Sequence, residues 1–148
     1  MSFGVQRKFA DLKEGEVIET ASITVTEAHV VTFAGLTGDF HPLHTDETFA
    51  SQTQFRGRIA HGPLIFGLCT GLFVRADPLD TIAFLGMNWE LLKAVKLGDT
   101  IHVRSKLSDV RITSAKNRAI LTHTREVINQ DGDVVQQGTT TMMMIIDP

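Results

Sequence analysis

The chain has 148 residues, 43% of them hydrophobic, and a formal net charge of -3 at pH 7, which suits one soluble domain with one core. Its lysines and arginines are scattered, so neither a nucleic acid nor a membrane surface is a predicted partner. Cys69 is the one cysteine, no secretory-type apolar segment is seen at the N-terminus, and no apolar run reaches membrane-spanning length. We therefore expect a single cytoplasmic domain over residues 1–148.

The first half of the chain is predicted to be mainly helical. A helix is expected over residues 26–36, with Thr26 as its N-cap, and a short helix capped by residue 45 or 46 runs to residue 50. Residues 39–44, between these helices, are predicted to form a loop, because the residue before Pro42 is pushed out of helical geometry.

An apolar helix and a sheet are predicted for the remainder. Gly62-Pro63 opens a segment, residues 64–74, that is hydrophobic on every face, as expected of a helix buried on most sides. Segments rich in β-branched or alternating residues predict four strands, at 81–91, 100–110, 118–129 and 134–146. Asp131-Gly132 predicts a hairpin between the last two strands. The pattern predicts an α+β domain whose antiparallel sheet curls around the apolar helix.

One polar stretch contains most of the chemically reactive side chains. Residues 38–46 read Gly-Asp-Phe-His-Pro-Leu-His-Thr-Asp, and residues 60–63 read Ala-His-Gly-Pro. Asp and His are the side chains best suited to moving protons near neutral pH. Pro42 stiffens the link between Asp39 and His44, so that both can be aimed at one point.

This stretch, with His61-Gly62 ahead of the apolar helix, resembles the MaoC-like dehydratase and (R)-specific enoyl-CoA hydratase family. The resemblance extends across most of the chain. It implies a single hot-dog domain and a homodimer or a higher assembly of hot-dog units. It also implies an acyl-CoA substrate, a 2-enoyl thioester, with no separate cofactor.

The resemblance also implies roles for individual residues. Asp39 and His44 correspond to the catalytic pair, and the backbone N–H of Gly62 corresponds to the donor to the thioester carbonyl oxygen. Thr70 matches a position where relatives carry a small hydroxyl residue near the catalytic carboxylate. The family usually has Asn where this chain has His41, which is expected to support the site without a named reaction step. The supporting residues are His41, Pro42, His61 and Thr70.

The same residues suit hydration chemistry on physical grounds. Adding water to a conjugated thioester requires a base, an acid and stabilisation of an enolate oxygen. Asp39 and His44 can hold one water between them and supply the first two. Gly62 can supply the third, because the first N–H groups of a helix lack internal partners. The expected reaction is the reversible hydration of a 2-enoyl-CoA to a 3-hydroxyacyl-CoA.

Other activities remain open on the sequence alone. His41 and the extra polar side chains would permit a branched or dicarboxylic enoyl-CoA hydratase of the mesaconyl or itaconyl kind. A thioesterase shares the fold, but the hydratase spacing disfavours it. A non-catalytic acyl-CoA-binding subunit would not need a positioned pair such as Asp39 and His44.

The remaining polar and sulfur-containing residues have structural interpretations. The motif's Asp and His residues could suggest a metal site, but no cysteine contributes and no tight zinc ligand set is recognisable, so no metal is predicted. Cys69 is interpreted as packing within the apolar helix, and His61 as a brace before that helix. The histidines interpreted as surface residues are His29, His102 and His123. The candidate cations for coenzyme A phosphates are Arg56, Arg58 and Lys93.

Overall fold

In the computed structural model the described residues are 6–146, so positions 1–5 and 147–148 of the predicted domain lie outside them. The helices are α1 (Glu27–Thr37), α2 (Pro42–Thr45), α3 (Glu47–Ser51) and α4 (Gly62–Ala76), with a 3₁₀ turn at Phe9–Asp11. The strands are β1 (Val17–Glu19), β2 (Ile23–Thr24), β3 (Thr81–Leu91), β4 (Thr100–Ile112), β5 (Arg118–Ile128) and β6 (Val134–Ile145). No helix within residues 6–146 is long and apolar enough to cross a membrane.

The six strands form one antiparallel sheet in the order β1-β4-β5-β6-β3, with β2 pairing beside β1 on β4. β5 and β6 form the predicted hairpin, and Gly132 in its turn has φ 81°, a value that favours glycine. β3 precedes β4 in the chain but pairs with β6, so β3 lies at one edge of the sheet. β1 and β2 were not predicted, because two or three residues show no periodicity and they form only by pairing with β4.

α4 packs against the inner face of this sheet, as the sequence predicted. Its buried residues are Leu64, Ile65, Cys69, Leu72 and Phe73. Ile101, Val103 and Val127 from the central strands are fully buried in the same core. Cys69 lies in this apolar core, and burial raises the pKa of its thiol to about 11. The predicted α+β domain, with an antiparallel sheet around one apolar helix, is confirmed.

The predicted loop at residues 39–44 was wrong in part, because it contains the helical turn α2. Pro42 is the first residue of that turn, where a missing N–H is tolerated. His41 acts as the N-cap: its Nδ1 accepts a hydrogen bond from the N–H of Leu43 at 3.2 Å. An imidazole can therefore replace the usual Asn or Asp acceptor at this position.

The surface interpretation of His123 was also wrong. His123 is only 3% exposed and lies on the inner face of β5, with its ring 5.1 Å from that of Phe73. Burial, with the positive charges of Arg125 and Arg7, lowers the pKa of His123 to about 3. The side chain is therefore neutral at physiological pH. His29 and His102 remain partly exposed, as expected.

Candidate active site

The predicted reactive side chains lie between the end of α1 and the start of α4. Gly38 ends α1 with φ 80°, and its N–H donates to the carbonyl of Ala34 at 2.8 Å. The side chain of Asp39, the next residue, is 51% exposed. Its Oδ1 accepts from the N–H of His41 at 3.2 Å, and its own N–H donates to Thr37 Oγ1 at 3.3 Å. These contacts hold the carboxylate at the end of the helix.

His44 faces this carboxylate from the following helical turn. Its Nδ1 lies 2.7 Å from the carbonyl oxygen of Ile59, and its Nε2 lies 4.0 Å from Asp39 Oδ2. A carbonyl oxygen only accepts, so the hydrogen-bond network places the ring proton on Nδ1. The Nε2 lone pair and the carboxylate are then two acceptors at a spacing that one water could bridge.

His61 packs behind both residues. It is 1% exposed, and its Nε2 lies 2.9 Å from the backbone carbonyl of Asp39 and 4.0 Å from the carboxylate Oδ2. Its ring stacks on that of His44, with centroids 3.7 Å apart and planes at 28°. On another side, the Phe33 ring lies 4.9 Å away. His61 therefore contacts the Asp39 turn and the His44 ring together.

Gly62 is the first residue of α4 and follows the N-cap residue, His61. N–H groups of the first helical turn have no partner within their helix. The carbonyl of Gly62 accepts from Gln136 Nε2 at 3.0 Å, and Gln136 Oε1 accepts from Trp89 Nε1 at 2.8 Å. A Cβ on Gly62 would lie 2.6 Å from Leu91 Cδ1, so glycine suits this close approach. Gln136 and Trp89 were not predicted from the sequence, because the residues around them do not indicate this long-range contact.

Thr70 lies further along α4 than Gly62. It is eight residues beyond Gly62 on α4, about 12 Å along the helix axis. Its hydroxyl donates to the carbonyl of Phe66 at 3.1 Å. No hydrogen bond joins Thr70 to Asp39 among residues 6–146, so a role for Thr70 near the carboxylate stays a prediction.

A pocket of about 320 Å³ adjoins Gly62. Its lining includes Phe55, Ile65, Leu91, Leu92 and Lys93. The walls are mainly apolar, and Lys93 is the one charged side chain among the described residues that line it. A mainly apolar pocket beside the N-terminus of a helix suits the uncharged part of a thioester better than a phosphate.

The three candidate phosphate cations differ in their surroundings. Arg58 is bound by two carboxylates: its Nη2 lies 2.6 Å from Glu27 and its Nε 3.3 Å from Glu47. Lys93 pairs with Asp133 at 2.9 Å, and both side chains are about half exposed. Arg56 is exposed, with φ 53°. Coenzyme A contacts of all three stay predictions.

Three residues of the site lie close enough together to be candidate metal ligands: Asp39, His44 and His61. One nitrogen or oxygen of each residue lies within 4.8 Å of the others. The Nε2 of His61, however, must carry a proton to bond the Asp39 carbonyl, which removes its lone pair as a ligand. The predicted absence of a metal stays a prediction.

Comparisons with known proteins identify the family of this chain. The sequence model of the family described as "MaoC like domain" matches residues 9–129. Protein MaoC of Klebsiella aerogenes is 38% identical over 100 residues, which cover 67% of this chain and 30% of that protein. This chain thus spans less than a third of that relative. The (R)-specific enoyl-CoA hydratase of Rhodospirillum rubrum is 29% identical over 136 residues, covering 92% of this chain and 90% of that enzyme.

Solved structures agree on the fold. The MaoC-like dehydratase of Rhodospirillum rubrum superimposes with a TM-score of 0.87 and 28% identity, covering 96% of this chain and 99% of that one. A Mycobacterium tuberculosis protein described as having a double hot-dog fold gives a TM-score of 0.87 at 19% identity, over 97% of this chain and 45% of that one. The predicted hot-dog fold is confirmed, and the chain belongs to the MaoC-like domain family.

Proposed function

We propose that this protein catalyses the reversible hydration of a 2-enoyl-CoA thioester to a 3-hydroxyacyl-CoA. The observation that carries this proposal is the 4.0 Å spacing between the Asp39 carboxylate and His44 Nε2, beside the start of α4 at Gly62. The name of the Rhodospirillum rubrum relative, an (R)-specific enoyl-CoA hydratase aligned over most of its length, supports the same reaction.

In the proposed mechanism, a water held by Asp39 and His44 adds its oxygen to C3 of the enoyl group. One O–H bond of this water breaks, and its proton passes to the pair. The π electrons of the C2–C3 bond move towards the thioester and form an enolate, whose oxygen accepts a hydrogen bond from the N–H of Gly62. C2 then takes a proton from the pair as the enolate collapses. One proton is accepted and one is returned, so both residues regain their initial state.

The surroundings of each group suit its part in this sequence. When His44 accepts a proton at Nε2, its cation lies beside the Asp39 carboxylate, whose negative charge stabilises it. Gly62 lies at the positive end of the α4 dipole, and one such donor lowers a barrier by about 3 kcal/mol. The pocket beside Gly62 offers an apolar surface for the thioester arm.

His41 supports a second candidate within the same reaction class, a branched or dicarboxylic enoyl-CoA. Its Nδ1 accepts from Leu43 N–H, so the neutral ring carries its proton on Nε2. The ring centroid is 6.2 Å from that of His44. An exposed N–H donor this close to the pair suits a substrate with an additional carboxylate.

The assembly that we propose is a homodimer or a higher oligomer joined through the edge strand β3. No residue of β3 is fully buried, although Phe84 and Met87 are large and apolar, at 50% and 58% exposure. β3 pairs with β6 alone among the described strands, so its other edge presents unpaired backbone groups. Pairing with a second copy would cover both features.

The test of the reaction is loss of enoyl-thioester absorbance with crotonyl-CoA and with mesaconyl-CoA. Wild type is compared with Asp39→Asn and His44→Ala, each expected to lower kcat by at least about 100-fold. The matched controls are Asp46→Asn, which keeps the N-cap acceptor of α3, and His102→Ala on β4. Controls as impaired as the pair variants would contradict the assignment. Acyl-CoA binding without turnover would indicate a binding subunit, and free thiol release would indicate a thioesterase.

A further inference from the structure

His44 and His61 bond backbone carbonyls through different ring nitrogens, although both rings face the same carboxylate. His44 bonds the Ile59 carbonyl through Nδ1, and His61 bonds the Asp39 carbonyl through Nε2. Each carbonyl requires a proton on the nitrogen that faces it. Neutral His44 therefore presents a lone pair to the carboxylate region at Nε2, whereas neutral His61 presents an N–H there.

The second nitrogen of His61 is held away from solvent. Its Nδ1 is buried, with no hydrogen-bond partner among the described residues, and the side chain is 1% exposed. A second proton on this ring would create a buried donor without an acceptor, which is unfavourable. It would also place a cation 3.7 Å from the His44 ring. The Asp39 carboxylate, 4.0 Å from Nε2, favours positive charge, but it is half exposed and faces His44 equally.

We propose that His61 is a positioning residue, which remains the neutral Nε2–H imidazole while His44 exchanges protons with the reacting water. Its hydrogen bond fixes the Asp39 backbone, and its ring fixes the plane of the His44 ring. One side chain thus aligns Asp39 and His44, the two groups that exchange protons in the proposed reaction. This inference rests on the proposed hydratase function, although the tautomers can be tested without it.

The tautomers can be read directly from ¹⁵N–¹H correlation spectra of the histidine rings at neutral pH. We expect the Nδ1–H pattern for His44 and the Nε2–H pattern for His61, with assignments from His44→Gln and His61→Gln. An Nδ1–H tautomer of His61 at neutral pH would overturn the inference whether or not hydratase activity is found.

Two substitutions separate positioning from simple packing. His61→Gln keeps an N–H donor near the Nε2 position, whereas His61→Leu fills a similar volume without a donor. We expect the Leu variant to lose about 100-fold in kcat with little change in KM, as for misplacement of catalytic groups by an ångström. The Gln variant should recover most of this loss. The matched control, His29→Gln, should leave both constants unchanged.

The outcomes that contradict the inference are distinct from failure of the proposed function. A folded His61→Leu protein with wild-type kcat would show that positioning is unnecessary. A Gln variant as inactive as the Leu variant, with the same circular dichroism and melting temperature, would show that the imidazole itself takes part in proton transfer. If wild type hydrates no enoyl-CoA, the proposed function fails, and the ring spectra alone decide the tautomers.

Discussion

The guanidinium carbon of Arg125 lies 3.7 Å from the centre of the Phe73 ring, inside the core between α4 and the sheet. Arg125 is 1% exposed, and its Nε and Nη2 have no hydrogen-bond partner among the described residues. Burial lowers the pKa of this group to about 10, against the opposing influence of Cys69 and Asp77. The side chain is therefore a cation at neutral pH that packs on an aromatic face.

This arrangement predicts that Arg125→Met increases stability. A buried charge without a close partner is costly, and replacing such groups by apolar side chains of similar size often stabilises a protein by about 1 to 4 kcal/mol. The measurement is the free energy of unfolding in urea at pH 7. Arg104→Met, at an exposed ion pair with Glu19, should change it by no more than about 1 kcal/mol. Destabilisation by Arg125→Met would instead indicate that the guanidinium binds a group essential to the fold.

The burial of His123 leads us to expect that the folded protein loses stability in mild acid. Because its pKa is about 3 in the folded protein and 6.5 in the reference state, the unfolded chain binds a proton that the folded chain does not. Its stabilising contribution is therefore present above pH 6.5 and is lost as the pH falls towards 3, by about 1.4 kcal/mol per pH unit. Between pH 6.5 and pH 5, the free energy of unfolding measured in urea should fall by about 2 kcal/mol less for His123→Gln than for wild type. The partly exposed His102→Gln should follow wild type, and parallel curves for all three proteins would refute the assignment.

The cap at His41 predicts different results for two substitutions. Asn can accept the N–H of Leu43 through its amide oxygen, so His41→Asn should keep the melting temperature and most of kcat on crotonyl-CoA. His41→Ala removes the acceptor, and we expect a loss of about 1 kcal/mol in stability together with lower kcat, since α2 carries His44. If His41→Asn and His41→Ala had the same melting temperature and the same kcat on crotonyl-CoA, the capping role of the His41 ring would be contradicted. A selective loss with mesaconyl-CoA in both would support recognition of a second carboxylate.

The exposed face of β3 predicts sensitivity of the assembly to charge. Met87→Lys places a charge on the edge strand, and the proposed dimer should dissociate at lower concentrations. Light scattering coupled to size exclusion measures this directly. The control is Ile112→Lys, at a residue that is 51% exposed on β4, which β5 and β6 separate from β3 in the sheet. A monomeric wild-type protein, or equal dissociation of both variants, would contradict pairing through β3.

A structural feature can be predicted from the sequence when neighbouring residues determine it, and not when tertiary packing does. The apolar run after Gly62-Pro63 is local and unmistakable, and α4 begins where those residues predict. On β5 the buried positions include His123 and Arg125, so a polarity pattern indicates the wrong environment there. His41 itself is non-helical, as expected of the residue before a proline, but it caps α2, so the predicted loop did not extend beyond it.

The predicted site residues differ in a similar way. Asp39 and His44 lie within six residues of each other, so their proximity follows from the local motif. The stacking of His44 on His61 depends on how α4 packs against α1, which no short pattern records. The contact between Gly62 and Gln136 joins residues 74 positions apart.

That last contact links the chemistry to the order of folding. The side chains that react come from one short stretch, but the helix that presents Gly62 is tied to β6, the last strand of the sheet. Contacts between distant parts of a chain form slowly, because their loop must close first. Trp89, the one tryptophan, donates to the same Gln136, so its fluorescence reports when this strand docks. During refolding, catalysis should return together with that fluorescence and not with the earlier gain of helix.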